Sequence, residues 1–335
     1  MALFFILIGS FLIEPVTAEA SGLSPNRMIT GITISCQGSG RIWGTDAFAK
    51  ELDGFASMGA NAVAIHPYGR IHADGRVGWR WDENRPPISV TRPVREAQSR
   101  NLVMMMKPHI AYWGSPFSWR GEIRFDDAAA RERFFETYTE WVVTLAKAVP
   151  DVDIFVVGTE LKGMTKYEAE WRAVIRELRK VTRAKLTYAA NWDAYKQVGF
   201  WDALDLIGIQ AYFPITESPD PDETAIRKGW TRIMDELDEF GRRYSRQVLF
   251  TELGYNQTTK AAREPWDYRQ EHGEAAVAVQ KRCLKVALEV AREHHPRIAG
   301  VFLWKWFVGH APFENFYLNH GELPDVIAKV WCEPH

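Results

Sequence analysis

Two glutamates in this 335-residue chain directly follow apolar runs and are the first candidates for chemistry. Glu160 follows residues 154–159, and Glu252 follows residues 247–251; in both places the local sequence is Thr-Glu-Leu. A carboxylate at the end of an apolar strand loses solvation unless polar partners meet it. One such residue alone is equally well explained as a helix cap or an ion-pair partner. Two in the same context indicate a pair of carboxylates that could act as acid, base or nucleophile.

The elements that must position these glutamates are short strands alternating with helices. Continuous apolar runs are typical of parallel strands that are covered by helices on both faces. The stretches between them show helical periodicity, as in residues 134–145, and two of the helices are predicted to be capped at Thr45-Asp46 and at Asp126-Asp127. Eight strands are predicted, at residues 29–34, 62–66, 102–107, 154–159, 185–190, 206–212, 247–253 and 298–306.

Strict alternation of eight strands with helices predicts an α/β fold, a single (β/α)8 TIM barrel over residues 21–335. An open doubly wound sheet is the alternative, but residues 37–40, after the first strand, lack the full glycine-rich dinucleotide fingerprint. In a barrel, the loops at the carboxyl ends of the strands form the only large cleft. Glu160 and Glu252 end the fourth and seventh strands, so we expect both in that cleft.

Glutamates at the ends of strands four and seven resemble the catalytic pair of the clan A glycoside hydrolases. Further segments, spread from the first strand to the last, resemble glycoside hydrolase family 113 in particular. These segments are Gly31-Ile32-Thr33, Met58-Gly59-Ala60-Asn61, Lys107-Pro108-His109-Ile110, Gly158-Thr159-Glu160-Leu161, Thr251-Glu252-Leu253-Gly254-Tyr255 and Trp304-Lys305-Trp306. Known members of that family are retaining β-mannanases acting on β-1,4-linked mannose polymers. The resemblance therefore implies an endo-β-mannanase-like hydrolase.

The resemblance also implies roles for three residues. Glu252 would be the nucleophile, Glu160 the acid/base, and Tyr212, which ends the sixth strand, would hydrogen-bond to the nucleophile. Such a reaction needs two carboxyls about 5 Å apart and neither a metal nor an organic cofactor. Many clan members have Asn before the acid/base to bind the sugar 2-hydroxyl, but here that residue is Thr159. Either Thr159 or a neighbour such as Asn191 takes over this contact, or the 2-hydroxyl is held differently.

Fourteen tryptophans favour a carbohydrate ligand, because the C–H faces of pyranose rings stack on indole rings. Trp304 and Trp306 are two residues apart on the last strand, so we expect them to share a side, one of them forming the floor of the subsite at the scissile bond. Trp113 and Trp192, after the third and fifth strands, are further candidate platforms. Five polar residues at strand ends could bind sugar hydroxyls or hold loops: His66, Lys107, His109, Asn191 and Asp193.

Charge and the N-terminal pattern bear on partners and location. A net charge of −2 without a basic tract argues against a nucleic-acid partner. Residues 1–13 are apolar, and residues 18–20 have the small-x-small pattern of a cleavage site, so residues 1–20 are predicted to be a signal peptide and the protein to be secreted or periplasmic. No later segment is long and apolar enough to cross a membrane.

Three cysteines without metal-like spacing allow at most one disulfide: Cys36, Cys283 and Cys332.

Two alternatives to a β-mannanase remain open. A retaining β-glycosidase acting on a glucan, a xylan or a galactoside would need the same carboxylate pair. A non-catalytic carbohydrate-binding barrel would keep the tryptophans and lose a carboxylate, whereas both glutamates are present. In all three cases the expected partner is a β-linked polysaccharide or oligosaccharide, and no sequence feature predicts an oligomeric state.

Overall fold

A computed structural model describes residues 23–24, 26–82, 84–218, 220–311 and 314–333; the predicted signal segment 1–20 lies outside the described residues. None of the described helices combines the length and hydropathy needed to span a bilayer. In chain order the elements are β1 (Ile29–Ser35), α1 (Asp46–Phe55), β2 (Ala62–Ile65), β3 (Tyr68–Ile71), β4 (Val77–Gly78), α2 (Ile88–Gln98), β5 (Val103–Met106), β6 (His109–Ala111), α3 (Ala128–Ala148), β7 (Ile154–Thr159), α4 (Glu168–Arg179), β8 (Lys185–Asn191), β9 (Ile207–Gln210), α5 (Glu223–Tyr244), β10 (Val248–Leu253), α6 (Glu274–Glu293), β11 (Ile298–Phe307) and α7 (Leu323–Cys332).

The predicted (β/α)8 barrel is confirmed. Eight strands close in the order β1-β2-β5-β7-β8-β9-β10-β11, and neighbouring strands are parallel. They are the eight predicted segments, with ends that differ by two residues at most. Both predicted caps form, since the side chains of Thr45 and Asp127 accept hydrogen bonds from the amides of Phe48 and Ala130. The helices pack on the outer face of the barrel and leave the strand ends to form the cleft.

The connection between β8 and β9 contradicts the predicted strict alternation. Residues 192–206, all of which the structure describes, form short 3-10 turns and no α-helix. Phe200 and Trp201 are fully buried there, and the ring of Phe200 stacks on Trp171 of α4 at 5.7 Å. Two large aromatic side chains therefore fill the layer that a helix would otherwise cover.

A small second sheet with strand order β4-β3-β6 lies in the connections that follow β2 and β5. The sequence does not predict it, because strands of two to four residues carry too little periodic pattern. Strand β3 pairs in parallel with β6, which sets Tyr68 opposite His109. Gly69 lies so close to α3 that a Cβ atom there would be 2.9 Å from the ring of Trp141. The sheet is thereby held against α3, and it fixes the position of His109.

The three cysteines are unpaired thiols. Cys36 is half-buried, Cys283 is buried on α6, and Cys332 is exposed. Burial raises the pKa of the Cys283 thiol to about 12, as expected for an inert core residue. Among the described residues there is also no group of three or more His, Cys, Asp or Glu side chains that could hold a metal ion.

Three barrel strands contain a β-bulge close to the cleft. A bulge adds one residue to one strand of a pair and changes the direction of the side chains beyond it. The extra residues lie between Val156 and Thr159 in β7, between Phe250 and Glu252 in β10, and between Leu303 and Trp306 in β11. The bulges therefore determine which side chains at these strand ends face the cleft.

Glu160 follows the bulge in β7 and has a left-handed backbone conformation, with φ of 55°. Residues with a Cβ avoid this region because the Cβ approaches the carbonyl oxygen, at a cost of about 1–2 kcal/mol. The Glu160 amide donates to the Ala189 carbonyl at 2.9 Å, and the Leu161 amide donates to the Tyr188 hydroxyl at 2.9 Å. These two hydrogen bonds from β8 hold the strained turn in place.

The strain predicts a difference between two substitutions that both remove the carboxylate. Glu160→Gly should be more stable than Glu160→Ala by about 1 kcal/mol in urea denaturation, because glycine adopts positive φ without the Cβ clash. The same pair of substitutions at Glu140, an exposed position within α3, should give the reverse order, because glycine costs about 1 kcal/mol in a helix. If Glu160→Ala proves as stable as Glu160→Gly, the turn is not strained.

Candidate active site

Glu252 lies in β10 and has both carboxylate oxygens held, with 4% of the residue exposed. The Tyr212 hydroxyl donates to Oε2 at 2.7 Å. Lys107 Nζ contacts Oε1 and also donates to the Thr251 carbonyl at 3.2 Å. Burial lowers the pKa of Lys107, although the Glu252 carboxylate opposes this shift. Burial and the same carboxylate together raise the pKa of Tyr212 well above its usual range. One cationic and one neutral donor therefore fix the orientation of this carboxylate.

Glu160 is more accessible, with 16% of its side chain exposed. Arg120 Nη1 donates to Glu160 Oε2 at 2.7 Å, and Asn191 Nδ2 lies 3.5 Å from Oε1. The Arg120 guanidinium lies 5.9 Å from the centre of the Tyr112 ring. Burial acts to lower the pKa of Arg120, whereas the negative charge of Glu160 and of other nearby groups acts to raise it. The net effect is a raised pKa, so the guanidinium stays charged.

Strand register places the two glutamates in the same part of the barrel mouth. Asn191 at the end of β8 contacts Glu160 and pairs in register with Gln210 of β9. Gln210 in turn pairs with Glu252 of β10. Adjacent strands thus connect one glutamate to the other at a single level of the barrel.

The charges around the two carboxylates also belong to one site. Lys107, Arg120 and Tyr212 each interact electrostatically with both Glu160 and Glu252. The two cations offset the repulsion that would otherwise act between two carboxylates in a partly desolvated cleft. The predicted pair is therefore brought together, each member with its own cationic partner.

Aromatic and imidazole rings line the cleft beside Glu252. The rings of His66 and His109 stack at 4.9 Å, and His109 stacks on Trp304 at 5.8 Å. Lys107 Nζ lies 5.2 Å from the centre of the Trp304 ring. Burial, with smaller contributions from nearby cations, lowers the pKa of both histidines well below the usual range, so both imidazoles are neutral. Trp304 is therefore the tryptophan of the last strand that borders the carboxylates.

Several buried polar atoms of the cleft have no hydrogen-bond partner among the described residues. They are His66 Nδ1, both ring nitrogens of His109, Asn191 Oδ1 and Gln210 Nε2. Buried polar groups in folded proteins are nearly always hydrogen-bonded to protein or water. These atoms have almost no accessible surface, so they form a polar layer behind the two carboxylates and are not themselves exposed to a ligand.

The prediction that Trp304 and Trp306 share a side is wrong, because the bulge in β11 lies between them. Trp306 is 8% exposed, and its Nε1 donates to Glu51 Oε2 in α1 at 2.9 Å. Its ring packs edge-on against Phe55, also in α1, at 5.5 Å. Trp306 is thus a core residue between the barrel and α1 and is not a sugar platform.

The remaining predicted residues differ in their surroundings. Trp113 is 53% exposed, and Trp192 stacks on Trp266 at 5.2 Å, so both stay candidate platforms. Asp193 is exposed and pairs with Lys162 at 2.7 Å, which corresponds to the alternative role of holding a loop.

Sequence reasoning missed Arg120 and Trp266. Both lie in long connections, Arg120 between β6 and α3 and Trp266 between β10 and α6, and neither follows an apolar run. No pattern of spacing distinguishes them from the other charged and aromatic residues of those loops. A pairing of Arg120 with Glu160 is evident only from the folded chain.

Comparisons with known proteins agree with this geometry. Residues 32–317 match the model of Glycoside Hydrolase Family 113. Among solved structures, a GH113 β-mannanase from Alicyclobacillus acidocaldarius in complex with ManMIm is 24% identical, with a TM-score of 0.77 over 91% of this chain and 97% of that one. A GH113 β-1,4-mannanase complex is 21% identical, with a TM-score of 0.78 over 92% of this chain and 100% of that one.

More distant structures share the fold. A β-glucuronidase from Ruminococcus gnavus is 12% identical, with a TM-score of 0.56 over 91% of this chain and 50% of that one. The comparison with curated proteins finds no match. Because the family match runs from the first barrel strand to beyond the last and includes both strand-end glutamates, this chain belongs to glycoside hydrolase family 113.

Proposed function

We propose that the chain is a retaining, endo-β-mannanase-like enzyme that cleaves β-1,4-linked mannan or its oligosaccharides. The observation that carries the proposal is the buried Glu252 carboxylate, held by a donor on each oxygen, in one cleft with the more accessible Glu160. Membership of family 113 supports glycoside hydrolysis, and the two similar family 113 structures bear the description β-mannanase. Trp304, half-buried beside Lys107, supports a sugar as the ligand.

In the first step Glu252 attacks the anomeric carbon. The bond from that carbon to the leaving oxygen breaks and an ester to Glu252 forms, while Glu160, which takes up a proton from solvent before this step, gives that proton to the leaving oxygen. Lys107 and Tyr212 hold the attacking carboxylate in one orientation, so little of its motion has to be frozen on the way to the transition state. Arg120 and Asn191 act in the same way on Glu160.

In the second step water replaces the leaving group. Glu160, now a carboxylate, takes a proton from the water as the water attacks the anomeric carbon and the ester to Glu252 breaks. Two inversions at one carbon return the β configuration. Arg120 beside Glu160 stabilises the negative charge that this residue carries between the two proton transfers.

A substrate panel with product analysis tests the proposal. The protein should release reducing sugar from β-1,4-mannan at least 10-fold faster than from cellulose, xylan or a β-galactan, and NMR should show that the first product has the β configuration. Faster release from another polymer would favour the alternative of a different β-glycosidase. Binding without hydrolysis of any of them would favour the non-catalytic barrel, and an initial α product would exclude retention.

A matched pair of variants tests the two glutamate roles. With an activated aryl mannoside, Glu252→Ala should lose at least about 10⁴-fold in turnover, and added azide should restore release and give the α-glycosyl azide. Azide should also accelerate Glu160→Ala, but through attack on the ester, which gives the β-glycosyl azide. If the two configurations are exchanged between the variants, the assigned roles are exchanged as well.

We also propose that residues 1–20 are a signal peptide, removed after Ala20, and that the mature enzyme works outside the cytoplasm. The apolar run and the small residues at positions 18 and 20 support this. Expressed in full in a bacterial host with a secretory pathway, the protein should be recovered outside the cytoplasm with Ser21 as its first residue, as measured by intact mass. A version that starts at Ser21 after an initiator Met should stay inside. Cytoplasmic recovery of the full chain with residues 1–20 retained would contradict the proposal.

A further inference from the structure

The two oxygens of Glu160 have different neighbours. In the proposed reaction Glu160 first carries a proton and gives it to the leaving oxygen, and a carboxyl group can carry its proton on either oxygen. Arg120 contacts Oε2, whereas Asn191 lies nearest to Oε1. The two oxygens are therefore not equivalent as carriers of the proton.

Arg120 disfavours a proton on Oε2. Its Nη1 donates to Glu160 Oε2 at 2.7 Å. A guanidinium has only donors and no acceptor, so a proton on Oε2 would face another proton. The guanidinium also stays charged in the cleft, and its charge repels a proton on the oxygen that it contacts. Oε2 is therefore an acceptor whether Glu160 is charged or neutral, and the proton is left with Oε1.

The fold holds Arg120 in this contact. The side chain is 14% exposed, and its guanidinium lies 5.9 Å from the centre of the Tyr112 ring. A Cβ atom at Gly163 would lie 2.5 Å from the Ile123 carbonyl oxygen, so the turn that carries Arg120 packs directly against the turn that follows Glu160. Two turns in close contact thus set the position of the guanidinium relative to the carboxyl group.

Asn191 meets the other oxygen with a side chain that can serve both states of Glu160. Its Nδ2 lies 3.5 Å from Oε1, and its Oδ1 is buried without a partner among the described residues. A half turn of the side-chain amide exchanges the donor for the acceptor. Because Oδ1 has no partner, this turn breaks no other hydrogen bond in the described part of the chain. Asn191 can therefore donate to Oε1 of a charged Glu160 and accept from Oε1 of a neutral one.

We propose that Arg120 and Asn191 are positioning residues that confine the proton of Glu160 to Oε1, Arg120 by excluding it from Oε2 and Asn191 by accepting it from Oε1. The inference rests on the proposed glycosidase function and deepens it by giving the two oxygens of Glu160 separate roles. Oε1 gives its proton to the leaving oxygen in the first step and takes one from water in the second. One oxygen can do both, because leaving group and water occupy the same side of the sugar in a reaction with retention.

Two substrates distinguish proton delivery from other roles of these residues. One is an oligosaccharide of the polymer that the wild type cleaves fastest, whose leaving group needs an acid. The other is the dinitrophenyl β-glycoside of the same sugar, whose leaving group needs none. Arg120→Met should lower kcat/KM about 100-fold for the oligosaccharide and about 3-fold or less for the dinitrophenyl glycoside. Asn191→Leu should show the same pattern, with a loss of about 10-fold for the oligosaccharide.

Two further variants serve as controls. Arg120→Lys keeps a charged donor and should recover most of the activity towards the oligosaccharide that Arg120→Met loses. Arg124→Met removes the same charge from an exposed position in the same connection, and it should leave both kcat/KM values unchanged. If Arg120→Met does not fold, as judged by circular dichroism, Asn191→Leu carries the test.

The outcomes separate this inference from the function on which it rests. An equal loss on both substrates in the folded variants indicates a structural role, and no loss on either indicates no role. Both results would overturn the assignment of the two oxygens and leave the glycosidase proposal intact. A wild-type protein that cleaves neither substrate would refute both.

Discussion

The buried charge of Glu252 is the constraint on which the cleft depends. A carboxylate with 4% exposure is unfavourable unless a countercharge and further hydrogen bonds replace water, and removing one partner of such a pair typically costs about 3–5 kcal/mol. Lys107 supplies the countercharge and Tyr212 the second hydrogen bond. Lys107 follows β5 and Tyr212 follows β9, and these two strands are not neighbours in the barrel. The carboxylate is therefore satisfied only when the barrel has closed and its strand ends stand at the right level.

The β-bulges decide which side chains at the strand ends face the cleft. In an unbroken strand, side chains alternate between the barrel interior and the helix layer, and a shift of one residue exchanges the two faces. The extra residues in β7 and β10 precede Glu160 and Glu252, and the one in β11 separates Trp304, beside the carboxylates, from Trp306, beside α1. The left-handed turn at Glu160 is a second departure from regular geometry at the same rim. Local irregularity is thus concentrated where the side chains must face the ligand.

The cleft contains two kinds of polar group. Those that carry charge are already paired: Glu252 with Lys107, and Glu160 with Arg120. Several neutral groups, among them His109 and Asn191, keep buried atoms without a protein partner. Charged groups fixed in advance need little reorganisation during a reaction.

The sequence by itself determined the eight barrel strands and the two strand-end glutamates, because apolar runs and their ends are local features, whereas the contact of Tyr212 with Glu252 was implied by the family resemblance. Tertiary structure decided the rest. Contacts between distant parts of the chain decide three features. Arg120 pairs with Glu160, Trp306 packs on α1, and β8 joins β9 without a helix. The physical reason is that local pattern sets where a strand ends, whereas register, bulges and loop paths set which side chains meet there, and a slip of one residue reverses the outcome.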